Sequence, residues 1–261
     1  MDLLLIREDR GPVARLRLNS PASFNALSLD MIEALLVALD DIARDDRVRV
    51  VTIAASGKAF SAGHDLRQMQ AMRNTPDKGE AELRHLFSRC ADLMQALPAL
   101  PQPVIAEVQG IATAAGCQLV ASCDLAIAAE NAKFGVNGIS IGLFCSTPMV
   151  ALTRAVPPKA AFEMLMTGDF ITATRAEALG LVNRVVPGTE LEAETQRLAD
   201  SIASKLPAAI RLGKRAFHQQ AGQELAAAYG LTGDAMCRNM LLDDTAEGIA
   251  AFLEKRAPSW S

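Results

Sequence analysis

The chain has 261 residues, half of them apolar but only 4% aromatic, which suits one large α/β domain cored by Ala, Leu, Val, Ile and Met, or one domain with a smaller appendage. A formal net charge of −4 gives no reason to expect nucleic acid or an anionic membrane as partner. Five cysteines without a C-x-x-C pair, three scattered histidines, no leader-like start and no membrane-length apolar run leave no local metal motif and lead us to expect a soluble, cytoplasmic protein with reduced thiols.

Residues 3–7 and 13–18 read as paired strands across an Asp9-Arg10-Gly11-Pro12 turn. After an irregular stretch over 21–27, Ser28 is an N-cap for a helix with the apolar face Ile32, Leu35, Leu36, Leu39 and Ile42. Residues 48–55 are nearly continuous in apolar and β-branched side chains, as expected of a central strand covered on both faces. Asp65 with Gln68 three residues later fits a capping box. The polar segment 73–79 is expected to be a mobile loop, and 80–97 a helix stopped by Pro98, Pro101 and Pro103. Strands follow at 104–108 and 124–129, with helical turns expected over 119–123 between them. Residues 134–148 are loop-rich, 159–166 reads as a helix and 181–186 as a last strand. From about residue 190 the pattern is helical only, over 190–204, 208–226, 230–242 and 245–255. The chain therefore divides into a strand–turn–helix core over 1–189 and a helical region over 190–261.

Two corners share one form: an apolar strand, a Gly- and Ala-rich turn, then a helix. One is Ala62-Gly63-His64-Asp65, the other Ala114-Ala115-Gly116-Cys117. Small residues there either pack a helix tightly on a sheet or let a ligand approach the backbone. Amide N–H groups left over at a helix start favour negative charge. On neighbouring strands, one N–H from each corner would converge on a single carbonyl oxygen. That arrangement is an oxyanion hole, whose donors are each worth roughly 3–4 kcal/mol of transition-state stabilisation.

The segment from Ala59 to Leu66, the Ala115-Gly116-Cys117 corner and Cys123-Asp124 resemble the crotonase (enoyl-CoA hydratase/isomerase) superfamily. Phe24-Asn25-Ala26-Leu27, Thr167-Gly168-Asp169, Ala178-Leu179-Gly180-Leu181-Val182 and Phe252-Leu253-Glu254-Lys255-Arg256 extend the likeness from end to end. The resemblance implies a spiral of ββα units and a helical C-terminal region that assembles homotrimers, often paired into hexamers. It implies an acyl-CoA thioester as small-molecule partner, with no separate cofactor because coenzyme A enters as part of the substrate. The thioester carbonyl would sit between the backbone N–H groups of His64 and Ala115, where its enolate is stabilised. Phe24, Ala26, Ala62, Gly63, His64, Asp65, Leu66 and Gly116 would line the substrate path with Asn137 and Gly138, and Lys255 would meet a CoA phosphate. The nominal reaction is hydration of a 2-enoyl-CoA to a 3-hydroxyacyl-CoA, a lyase reaction of fatty acid metabolism.

The resemblance also exposes a departure. The family's two catalytic glutamates fall at positions where this chain has Gln118 and Gly138. An amide can hold a water or a substrate but cannot cycle a proton near neutral pH. Loss of general acid–base chemistry costs roughly 10²–10⁴-fold per group. Other groups present are the His64 ring, Asp65 as a base rather than a helix cap, and Cys117 as a nucleophile rather than packing. Cys145 is expected to pack, and Glu107 and Glu163 to make structural pairs. Two functions follow: an acyl-CoA enzyme (hydratase, isomerase, decarboxylase or thioester hydrolase), or a catalytically silent CoA-thioester binding protein.

Overall fold

The apolar run in the middle of the first third becomes strand β3 (Val50–Ala55), buried between β2 (Val13–Leu18) and β5 (Val104–Val108). The computed structural model describes residues 3–260. Strand β1 (Leu5–Arg10) forms an antiparallel hairpin with β2 around Gly11, whose φ of +58° suits glycine. Strands β7 (Leu125–Ala129) and β10 (Arg184–Val186) complete a six-stranded sheet in the order β1-β2-β3-β5-β7-β10, parallel beyond the hairpin. A second, four-stranded sheet runs β4 (Ala59–Ser61), β6 (Ile111–Thr113), β8 (Lys133–Gly135), β9 (Ile171–Thr172).

Three strands of the first sheet, β3, β5 and β7, each feed a short strand of the second and then a helical segment. Strands β3 and β4 lead to α2 (Leu66–Met72), and β5 and β6 lead to α4 (Ala115–Ser122). Strands β7 and β8 lead to a 3₁₀ segment, Asn137–Ile141, and α5 (Ser146–Ala155). This is a spiral of ββα units, the mixed α/β fold the motifs imply. Because β4, β6 and β8 pair in parallel, their three C-terminal ends lie side by side.

Helices α1 (Leu29–Ala43) and α3 (Glu80–Ala99) bury Ile32, Leu35, Leu39, Leu86 and Leu93 in the main core with Leu16, Ile53 and Phe134. On the opposite face, α8 (Leu191–Ala203) sets Ala199 and Ala203 against Val13, Val50 and Ile105. Each large apolar side chain so buried is worth about 1.5–3 kcal/mol. Ser28 caps α1 as expected, its Oγ accepting from Met31 N at 3.2 Å. The capping box forms by half: Asp65 accepts from Arg67 N and Gln68 N, but Gln68 Oε1 accepts from Leu29 N and ties α2 to the start of α1.

The segment expected to be a mobile loop is closed by hydrogen bonds from Gly79 N to Thr75 Oγ1 and from Thr75 Oγ1 to Asp77 Oδ1. Pro98 lies within the last turn of α3 rather than after it. A proline there forfeits one intrahelical donor, and Leu100 N still closes the end on Ala96 O at 2.8 Å. Helix α6 (Pro158–Thr167) sits where expected, whereas α7 (Ala173–Leu179) is an additional short helix. Helices α9 (Pro207–Gln220), α10 (Leu225–Met240) and α11 (Asp243–Leu253) follow α8 in the C-terminal part. Among the described residues no helix is long and apolar enough to cross a membrane.

Candidate active site at the paired corners

The parallel pairing of β4 with β6, Ser61 opposite Ala112, places the two small-residue corners against each other. Gly63 adopts φ +85°, and a Cβ on it would lie 2.9 Å from Ala114 Cβ and 3.0 Å from Ala115 N. Gly116 makes the reciprocal approach, since its Cβ would lie 2.3 Å from Ser61 O. Each glycine therefore admits the backbone of the other corner. Ala114 is held at φ 50°, ψ −122°, a conformation an L-residue rarely adopts. Helix α4 starts at the next residue, four positions earlier than expected, so the Ala115 N–H belongs to its first turn. Among the described residues neither the His64 N–H nor the Ala115 N–H donates to any acceptor.

Neighbouring backbone groups are fastened, which leaves those two amides as the open ones. Leu27 N donates to Gly63 O at 2.7 Å and Ala62 N to Phe24 O at 3.0 Å. Asn25, fully buried at φ 52°, donates through Nδ2 to Ser56 O and Ala59 O, and its Oδ1 accepts from Ser20 N. The segment 24–27 thus braces the turn before β4 and the corner after it. It leaves Phe24 and, across the corner, Leu66 exposed as an apolar rim. Ala26 lies buried beside Phe24.

The His64 ring is fixed away from free titration. Its Nδ1–H donates to Leu27 O at 3.1 Å and its face meets the Phe87 ring edge-on at 5.5 Å. Its Nε2 is buried without a partner, and burial pulls the ring's pKa below the usual histidine value, so it is neutral at pH 7. Asp65 spends one oxygen on capping α2.

The third strand end completes the wall. Ala114 N donates to Gly135 O at 3.0 Å, and Thr113 Oγ1 donates to Asn137 Oδ1 at 2.6 Å, so the Asn137 amide N–H₂ stays available as a donor. Gln118, one turn into α4, is 4% exposed, and its Oε1 is buried with no donor. Gly138 sits under the following loop: a Cβ there would lie 2.2 Å from Leu143 O and 2.9 Å from Cys145 Sγ. Leu143 N donates to Gly138 O at 2.9 Å, which pins the loop down.

Comparison with known proteins bears on what these corners belong to. A family model described as enoyl-CoA hydratase/isomerase matches residues 8–261. Enoyl-CoA hydratase domain-containing protein 3, mitochondrial, of Xenopus laevis is 44% identical over 259 residues, which is 99% of this chain and 86% of that protein. This chain belongs to the enoyl-CoA hydratase/isomerase family. The crystal structure of human enoyl Coenzyme A hydratase domain-containing protein 3 superposes with a TM-score of 0.94 at 43% identity, covering 99% of this chain and 100% of that one. An enoyl-CoA hydratase structure from Mycobacterium smegmatis gives 0.95 at 50% identity, with 99% of both chains covered. The family membership read from the motifs therefore stands, and the likeness to domain-containing protein 3 runs over 99% of the chain. The cytoplasmic expectation does not: the Xenopus relative is named a mitochondrial protein, and scattered cysteines report a reducing environment rather than a compartment.

In this family member the cysteines near the corners are packing groups. Cys117 is fully buried, and desolvation pushes its thiol up to about 12. Burial also raises Cys90, Cys123 and Cys145, while Cys237 is exposed. Iodoacetamide at neutral pH is therefore expected to alkylate Cys237 first, with Cys117 slower by about 100-fold or more; mass spectrometry of the peptides reads the order. Fast labelling of Cys117 would restore it as a nucleophile. Glu107 pairs with Arg15 at 2.6 Å in the sheet interior, as its mid-strand position suggested. Lys255 follows α11 at φ 56°, exposed, and no hydrogen bond or ion pair joins its side chain to the corners among the described residues. No cluster of three or more His, Cys, Asp or Glu suited to a metal occurs among them either. The bracing role of Asn25, the Thr113 hydroxyl and the closing of Leu143 over Gly138 were missed from sequence; an Asn before a corner and a Thr at a strand end are the faint signals.

Proposed function

We propose that this chain binds an acyl-CoA thioester with its carbonyl oxygen between the His64 and Ala115 N–H groups and stabilises the thioester enolate. The observation that carries this is the interlock of Gly63 with Ala114 and Ala115, which leaves one open amide on each corner. Two such donors in a site screened from water act on the negative charge that develops on the oxygen. The apolar rim of Phe24 and Leu66 suits the pantetheine arm, with Ala26, Ala62, Asp65 and Gly116 along the path, and Lys255 takes a CoA phosphate. No separate cofactor is required, because CoA arrives with the acyl group. The nominal reaction is that of an enoyl-CoA hydratase, a lyase acting on 2-enoyl-CoA.

A second reading is favoured by Gln118 and Gly138: a thioester binder without turnover. A buried amide and a glycine roofed by Leu143 supply hydrogen bonds but no proton carrier. Gln118 then positions water or substrate, and Asn137 offers its N–H₂ to the acyl group. Following the conjugated thioester absorbance of crotonyl-CoA and longer enoyl-CoAs separates the two. Turnover supports the enzyme; micromolar calorimetric affinity without turnover of any acyl-CoA supports the binder; neither turnover nor affinity overturns the thioester site.

We further propose that the C-terminal helices hold copies of this chain together as a trimer or a pair of trimers. Among the described residues α10 buries no side chain, and Leu225, Tyr229, Met236, Phe252 and Leu253 are each at least 69% exposed. Apolar surface of that extent marks an association face. The double change Tyr229→Glu/Phe252→Glu is expected to convert the assembly to monomer in sedimentation velocity; an unchanged mass would place the interface elsewhere.

A further inference from the structure

Opposite the corners, at the end of the first sheet where β5 begins, a cavity of about 410 Å³ opens between the C-terminal turn of α3 and α9. Its wall is apolar on one side, with Pro98 and Leu100, and polar on the other, with the guanidinium groups of Arg211 and Arg215 and the His218 ring. The volume is within the range of small-molecule sites. The corner pair lies at the far end of α4, whose eight residues span about 12 Å.

The charge of this wall is answered only in part by the protein. Arg215 has no hydrogen bond or ion pair among the described residues. Arg211 meets only Asp46, whose side chain is 90% exposed. The part-buried carboxylate beneath, Asp124, already has three partners: Oδ2 accepts from Lys214 Nζ at 2.6 Å and Val104 N at 2.7 Å, and Oδ1 lies 2.7 Å from His218 Nε2. Lys214 offsets its charge, so Arg215 faces the opening uncompensated and Arg211 is met only by the exposed Asp46.

We propose that this cavity binds a small organic anion, a phosphate or carboxylate head held by Arg211 and Arg215 on a short apolar body that packs against Pro98 and Leu100. Guanidinium groups recognise both heads through paired N–H donors. The site is independent of the corner pair and of the acyl-CoA reading.

The test is calorimetric titration of the full chain with phenyl phosphate, benzoate and inorganic phosphate. At least one of the two organic anions is expected to saturate, and whichever is tighter identifies the head. Inorganic phosphate should bind about tenfold or more weakly than phenyl phosphate, and equal affinity would remove the apolar half of the proposal. Arg211→Ala/Arg215→Ala should weaken binding at least about tenfold, Arg215→Lys, which keeps the charge but loses the paired donors, should weaken it less than the double change does, and Arg154→Ala, on α5, should change nothing. Should the double variant melt early, Arg215→Glu at its exposed position repeats the test. Saturating butyryl-CoA should leave the isotherm unchanged; competition would move the anion to the corners. Competition, no saturable binding by either organic anion, or binding indifferent to Arg215, overturns the site.

Discussion

Gly63→Ala is expected to lower crotonyl-CoA turnover, or butyryl-CoA affinity if the protein only binds, by about 100-fold or more, the loss reported for one oxyanion donor. The new methyl group would meet Ala115 N and Thr113 O at 3.0 Å and Ala114 Cβ at 2.9 Å, at a residue already in the left-handed region. Neither neighbour can give way cheaply. Ala114 N is tied to Gly135 O, and Thr113 is both in β6 and bound to Asn137. The corners must therefore separate, which on the proposed reading pulls the Ala115 N–H away from the carbonyl oxygen it would share with the His64 N–H. Stability should fall by only about 1–3 kcal/mol, the ordinary cost of overpacking. Circular dichroism melts alongside thioester titrations check both halves. A variant that melts lower yet binds acyl-CoA as before would mean that the corner amides do not hold the carbonyl.

The two corners were legible because their evidence is local: a run of small residues after an apolar strand, with Asp65 to start one helix. The position of Ala115 was less so. Its helix begins four residues early, directly after Ala114, which takes an uncommon backbone conformation with its N–H held by Gly135 O of the neighbouring strand β8. Strands of two or three residues, such as β6, β8 and β9, exist through partners distant in sequence and carry no periodicity of their own. Gln68 shows the same limit. The spacing from Asp65 marked it as a capping partner, yet its side chain is drawn off by Leu29 N, 39 residues away in sequence. Gly138 shows it most clearly, for no sequence rule reveals that the carbonyl of Leu143 closes over it.

That closure changes how a carboxylate at position 118 or 138 should be tested. Gly138→Glu is expected to cost about 3 kcal/mol or more and to gain no hydration, because even its first side-chain carbon would lie 2.2 Å from a backbone oxygen. The loop over 143–145 would have to lift, breaking the Leu143 N to Gly138 O bond. Gln118→Glu is the informative change, since it is isosteric and its neighbours already accommodate the shape. Its carboxyl would enter a place where Gln118 Oε1 has no donor, so burial would raise the folded pKa above the unfolded value of about 4.3. The folded state then binds more protons than the unfolded state between those two values. Stability relative to the parent is full below about pH 4 and declines as pH rises through the window. On the proposed reading such a carboxyl is a base poised nearer neutrality, and it should raise crotonyl-CoA hydration by about 100-fold. Measured turnover together with the pH dependence of melting decides the matter. A pH-dependent destabilisation without any gain in hydration would show that the residue at 118 reaches no reacting water, and would favour the silent binder.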